Sequence, residues 1–254
     1  MKKILLLIPL LCASLCSPAF GQAKVGGTAK VGGVSTIGVG SGTVAIAFVS
    51  AASNSTNASP TAVTLSPTAG NRIVLDVWST NATGFTVSDN GATGGSTYTA
   101  NGSGYTTAAS VLVKEYEACA IPSGVTTITV VTTGTVSSVD VIARQYSGGS
   151  CAADVAFSTG LVDISQTVQT GNTITPASGF NEIVSVCSIQ VTNDTTNFAT
   201  SGLYTNRVNQ ADIFTNNLVG CGDQLVTSTT STYAGKATTT PTAVTSETST
   251  SSYK

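Results

Sequence analysis

The chain has no histidine, one methionine and one tryptophan in 254 residues, and only 9% of it is charged. Each shortage removes a class of chemistry. Without imidazole there can be neither a Ser–His–Asp triad nor a Cys–His pair. Zinc would want histidines or close Cys pairs, and the cysteines stand too far apart. The absence of a basic patch or Arg-rich run argues against nucleic acid as a partner. It argues equally against adhesion to anionic membrane. The glycine-rich stretches lack the Lys-Ser/Thr and helix that complete a phosphate-cradling loop. What is plentiful is Thr, Ser, Val, Gly and Ala in alternating order, the pattern of β-sheet.

The chain opens MKKILLLIPLLCASLCSPAFGQ. Lys2 and Lys3 precede an apolar run from Ile4 to Leu15, and Ser17 to Gly21 are small or turn-forming, the layout of a signal peptide. Ala19 and Gly21 suit the −3 and −1 sites, so residues 1–21 are read as the signal, cleaved before Gln22. The run is short for a bilayer core of about 30 Å. Cys12 and Cys16 lack a fitting lipidation box before them. No later stretch is long enough for a transmembrane helix, so no stable membrane insertion is expected after signal removal. The processed chain is expected to be secreted or at the cell surface, with the periplasm as the alternative. Losing Lys2 and Lys3 takes its net charge from −2 to about −4.

Four cysteines remain, Cys119, Cys151, Cys187 and Cys221. An even number in an exported chain favours disulfides, and three pairings are open. Cys119–Cys151 and Cys187–Cys221 are preferred because each pair is near in sequence. Each would close a loop of about thirty residues, a stabilisation of about 3–4 kcal/mol in the chain-entropy model.

Residues 22–42 carry AKVGG twice and are rich in glycine, which suits a linker or a short strand that pairs with a neighbour. From Thr43 the pattern is that of strands. TVAIAFVS, RIVLDVWST, ASVLVKEYEACA, VTTITVVTT and SSVDVIARQYSGG are the clearest, and ATGFTVSDNGATGGSTYTA reads as two short strands joined by an Asp-Asn-Gly turn. The second half repeats this grammar less cleanly. The expected fold class is an all-β, antiparallel, jelly-roll-like sandwich over residues 43–238. Residues 239–254 are poor in apolar side chains and are expected to form a disordered Ser/Thr-rich tail.

Four motifs, SPTAGNRIVLDVW, SDNGATGGSTYT, IPSGVTTITVV and ARQYSGG, resemble those of exported bacterial and phage-associated β-sandwich domains. The resemblance covers residues 43–149. It implies a jelly-roll-like fold in a surface or secreted protein and brings no established activity.

Carboxylates are the remaining catalytic option, since some sandwich folds host glycosidases that use two of them. Glu115 and Glu117, at i and i+2 of one strand, share a face, although solvated outward positions explain them as well. Asp76 and Trp78 share a face of another strand and could bind a sugar, with Tyr98 and Tyr105 contributing, although Trp78 also fits core packing. No cofactor is required. Calcium is the one candidate, at Asp89 or Asp194, and turn chemistry accounts for both residues. The expected function is a non-catalytic surface or matrix module whose partner is an extracellular glycan or a surface protein. The alternatives are a carboxylate-dependent glycan hydrolase or lyase and a structural subunit that assembles by strand addition.

Overall fold

The computed structural model describes residues 28–31, 35–38, 45–107, 110–149, 153–166, 168–176, 182–190, 198–200, 204–211, 218–226, 231–239 and 244–254. The expected signal peptide, Cys151 and Asp194 lie outside the described residues. The chain divides into two compact units, Met1–Gly42 and Thr43–Lys254. In the first, β1 (Thr28–Val31) pairs antiparallel with β2 (Ser35–Gly38).

The second unit is all-β and antiparallel, and it contains two sandwiches rather than one. Residues 45–149 supply β3 (Ala47–Thr56), β4 (Thr61–Thr64), β5 (Arg72–Thr80), β6 (Gly84–Asp89) and the short β7 (Thr99–Ala100) and β8 (Tyr105–Thr106). They continue with β9 (Val111–Ala118), β10 (Thr127–Thr133) and β11 (Ser138–Ser147). The larger sheet runs β3-β11-β5-β9-β7, with β8 also on β9, and the smaller runs β4-β10-β6. Ile73, Leu75 and Val77 of β5 meet Val63, Ile128 and Val130 of the smaller sheet in a buried core.

Residues 153–254 supply β12 (Ala153–Gln166), β13 (Val168–Ile174), β14 (Ile183–Gln190), β15 (Phe198–Thr200), β16 (Thr205–Ala211), β17 (Leu218–Leu225), β18 (Tyr233–Thr239) and β19 (Val244–Tyr253). Their sheets run β12-β19-β14-β17-β16 and β13-β18-β15. Numbered within each half, and setting β8 aside, both large sheets read first-eighth-third-sixth-fifth and both small sheets second-seventh-fourth. The second half therefore repeats the strand order of the first.

The two large sheets pack face to face. Trp78, Val113 and Ile142 of one meet Cys187, Val219 and Cys221 of the other, and Val74 and Tyr146 meet Ile183 and Tyr253. This explains why β5 is buried from Arg72 to Ser79. Its odd-numbered apolar residues face its own sandwich, and its even-numbered residues face the other one.

Two expectations need correction. The Asp-Asn-Gly segment does not join two strands of one hairpin, because β6 pairs with β10 in the small sheet and β7 with β9 in the large one. The expected disordered tail contains β19, a strand paired on both sides, with β12 and β14. The hydroxyl side chains from Thr248 to Ser252 are buried, and those from Thr248 to Ser251 are hydrogen-bonded. Thr248 bonds Ser188 at 3.0 Å, Ser249 donates to the Cys187 carbonyl at 3.3 Å, and Thr250 accepts from the Gly235 amide at 3.0 Å. Satisfied hydroxyls and two backbone ladders replace the apolar surface that the sequence lacks there. Gly235 lets the sheets approach closely, since a Cβ on it would lie 2.5 Å from Val186 Cγ2.

Candidate functional site

Most of the chemically distinctive side chains converge between the two large sheets. Register places Asp76 of β5 directly opposite Glu115 of β9. Two like charges so placed repel, and both residues are buried, at 1% and 2% exposure. Arg144 of β11 reaches both, with Nη2 2.5 Å from Asp76 Oδ2 and 3.7 Å from Glu115 Oε2. Its Nη1 donates to Ser185 of β14 at 2.6 Å. Glu115 also accepts from Asn101 at 2.8 Å, from Ser251 at 3.0 Å and from the Tyr253 hydroxyl. Burial first, then the charge of Asp76, push the Glu115 carboxyl up to about 8, against the pull of Arg144 and the Tyr253 and Ser251 hydrogen bonds. Burial raises Asp76 as well, although Arg144 opposes it.

Other charged groups extend this layer. Tyr146 donates to Asp223 of β17 at 2.9 Å, and Arg207 of β16 grips the same carboxylate at 2.7 Å while covering the Phe48 ring at 4.2 Å. At the other end Arg72 pairs with Glu117 at 2.8 Å, donates to the Lys254 carbonyl at 2.8 Å and lies 5.3 Å from the centre of the Tyr253 ring.

Glu115 and Glu117 do share a face, but it is not a solvated one. Glu115 is sealed between the sandwiches, and only Glu117 reaches a surface groove. Asp76 and Trp78 also share a face, which the second sandwich covers. Trp78 is 1% exposed and belongs to the packing between the halves, so neither residue offers a platform to an external sugar. Tyr105 is half-buried against the Trp78 cluster. Tyr98 packs on the first sandwich core and donates to Asp89 Oδ2 at 3.1 Å.

Asp89 acts as a turn organiser. Its carboxylate accepts the Gly91 amide at 2.9 Å and the Ser96 amide at 3.2 Å. Burial would raise this carboxyl, but the hydrogen bonds from Ser96, Gly91 and Tyr98 hold it below the usual range. With its oxygens bonded to these protein donors, Asp89 forms no calcium ligand set among the described residues.

The groove that Glu117 reaches has a volume of about 590 Å³ and is lined by Ser96, Thr97, Thr99, Cys119 and Pro122, among others. Glu117 is the only acid among its described lining residues. Cys119 Sγ lies 3.3 Å from Glu117 Oε1.

The expected Cys187–Cys221 disulfide is present, linking residues that face each other in register on β14 and β17. Cys221 Sγ lies 3.7 Å from Asp76 Oδ2. The other expected pairing, Cys119–Cys151, includes a residue outside the described set. No helix among the described residues is long and apolar enough to cross a membrane.

No family model, curated protein or solved structure matches this chain. Function has to be argued from the residues themselves.

Sequence reasoning did not single out Arg72, Arg144, Arg207, Asp223, Ser251 or Tyr253. A usable signal existed for Arg144. In DVIARQY it alternates with Ile142 and Tyr146, so a strand with two buried faces must bury a cation, and a buried cation needs an acid such as that of LDVW.

Proposed function

We propose that this protein is an exported, non-catalytic binding module for a polyhydroxylated ligand such as an extracellular glycan, taken up in the groove beside Glu117. The observation that carries this reading is the groove's chemistry. Hydroxyl side chains surround one carboxylate held in place by the buried Arg72. A fixed carboxylate and neighbouring hydroxyls are suitable partners for the vicinal hydroxyls of a sugar. Export is supported by the leader at residues 1–21 and by the disulfide. The exchange of consecutive strands between two sheets supports a jelly-roll-like path in each half, the fold that the family resemblance implies.

The hydrolase alternative is weaker here. Glycosidic cleavage needs a second carboxylate across the bond from the first, and Glu115 is enclosed and hydrogen-bonded inside the molecule.

A glycan array with the processed protein, followed by calorimetry on the best binder, tests the proposal. Glu117→Gln and Thr97→Val are each expected to weaken binding about tenfold, and no reducing ends should be released. Unchanged binding in both variants would refute the groove. Reducing-end release abolished by Glu117→Gln would replace binding with hydrolysis.

A further inference from the structure

We propose that Asp76, Glu115 and Arg144 form a pH-sensitive latch between the two sandwiches, closed while the two carboxyl groups share a proton and loosened as opening lets both ionise. Geometry leads to this. Two buried carboxyl groups lie opposite each other, and one guanidinium contacts both. The other guanidiniums of the layer are engaged elsewhere, Arg72 by Glu117 and Arg207 by Asp223. From β19, Tyr253 and Ser251 direct hydroxyls at Glu115. From β14, Ser185 accepts from Arg144. From β11, the Tyr146 hydroxyl turns to Asp223, while Asp140, buried on the same strand, alternates onto the same face. No basic side chain of the second sandwich is shown contacting Asp76 or Glu115 among the described residues.

Asp76, Glu115 and Arg144 come from the first sandwich and their partners Ser185, Ser251 and Tyr253 from the second, so closing the layer removes the carboxyl groups from water and opening it returns them. The connection out of β11 passes through Gly148 and Gly149, both in the left-handed region, at φ 75° and 77°. Residues other than glycine rarely adopt this conformation, so the pair suits a hinge.

The direction of the pH effect follows from linkage. Once opened and hydrated, Glu115 returns toward its ordinary value of 4.5, whereas the closed form keeps its proton to about 8. Between those values the closed form binds the extra proton. Opening therefore becomes easier as pH rises through that window, by up to about tenfold per pH unit, and levels off above it. Below the window both forms are protonated and the effect is absent.

The Cys187–Cys221 disulfide reports on opening because its sulfurs lie in the cluster between the sheets. A water-soluble phosphine, itself oxidised to the phosphine oxide, reduces it only when the layer parts. The rate on the full processed protein, divided by that of an exposed model disulfide at each pH, should rise between pH 5 and 8 and then flatten. Far-UV circular dichroism should stay constant throughout. Glu115→Gln, which mimics the protonated side chain, should remove the slope and leave the slow rate of pH 5. If that variant does not fold, Asp76→Asn, which removes the repelling charge, should end the slope at a lower pH. A flat profile in the wild-type protein overturns the latch. So does a wild-type profile in whichever variant folds.

Discussion

Arg144 shows how much one residue decides. It is fully buried between acids, and removing one member of a buried charge network leaves the others uncompensated. Arg144→Met is expected to lower stability by about 3–5 kcal/mol, read from the midpoint of urea denaturation at neutral pH. Adding Asp76→Asn and Glu115→Gln to it should restore much of that loss, because the layer would then hold neutral groups of similar shape. At this scale the sequence reveals parity but not cover. Alternation correctly puts Glu115 and Glu117 on one face of β9, opposite Tyr116. It cannot say that another sheet lies over that face, which is why Glu115 is buried where solvent was the natural expectation. Trp78 was open to either reading for the same reason, because an aromatic on a strand face looks alike against a sugar and against a second sheet.

Among the elements, the legible strands were those with strong β-branched alternation, β5, β9, β10 and β11. The one read as a disordered tail was β19. Its sequence VTSETSTSSY lacks the apolar side chains by which strands are recognised, and its stability comes from partners distant in the chain. Glu115 reaches it across 136 residues, which no local window detects. The close fit around it can be tested. Gly235→Ala would place a Cβ 2.5 Å from Val186 and 2.6 Å from Thr250. Overpacking of this kind should cost about 1–3 kcal/mol, seen as a lower thermal midpoint. A midpoint equal to that of the wild-type protein would show that the two sheets of the second half can separate without loss.

For the whole molecule, the repetition was visible only as similar grammar, because strand spacing counts strands and does not say how many cores they form. The second half has weaker apolar periodicity and more Ser and Thr, so its likeness to the first lies in strand order rather than in residues. The halves should depend on each other. Residues 43–149 produced alone would expose Trp78, Val113, Ile142 and Tyr146 together with the charged cluster of Arg144, Asp76 and Glu115. That fragment is expected to self-associate in analytical ultracentrifugation and to show red-shifted Trp78 emission. A monomer with buried Trp78 emission would mean that the face between the sheets is not needed to complete either half.

In both halves the first strand lies beside the last, β3 against β11 and β12 against β19. The polypeptide therefore leaves each sandwich next to where it entered. A unit with adjacent entry and exit can be copied in tandem without rethreading its neighbour, so gene duplication could have lengthened such a chain while every existing strand kept its place.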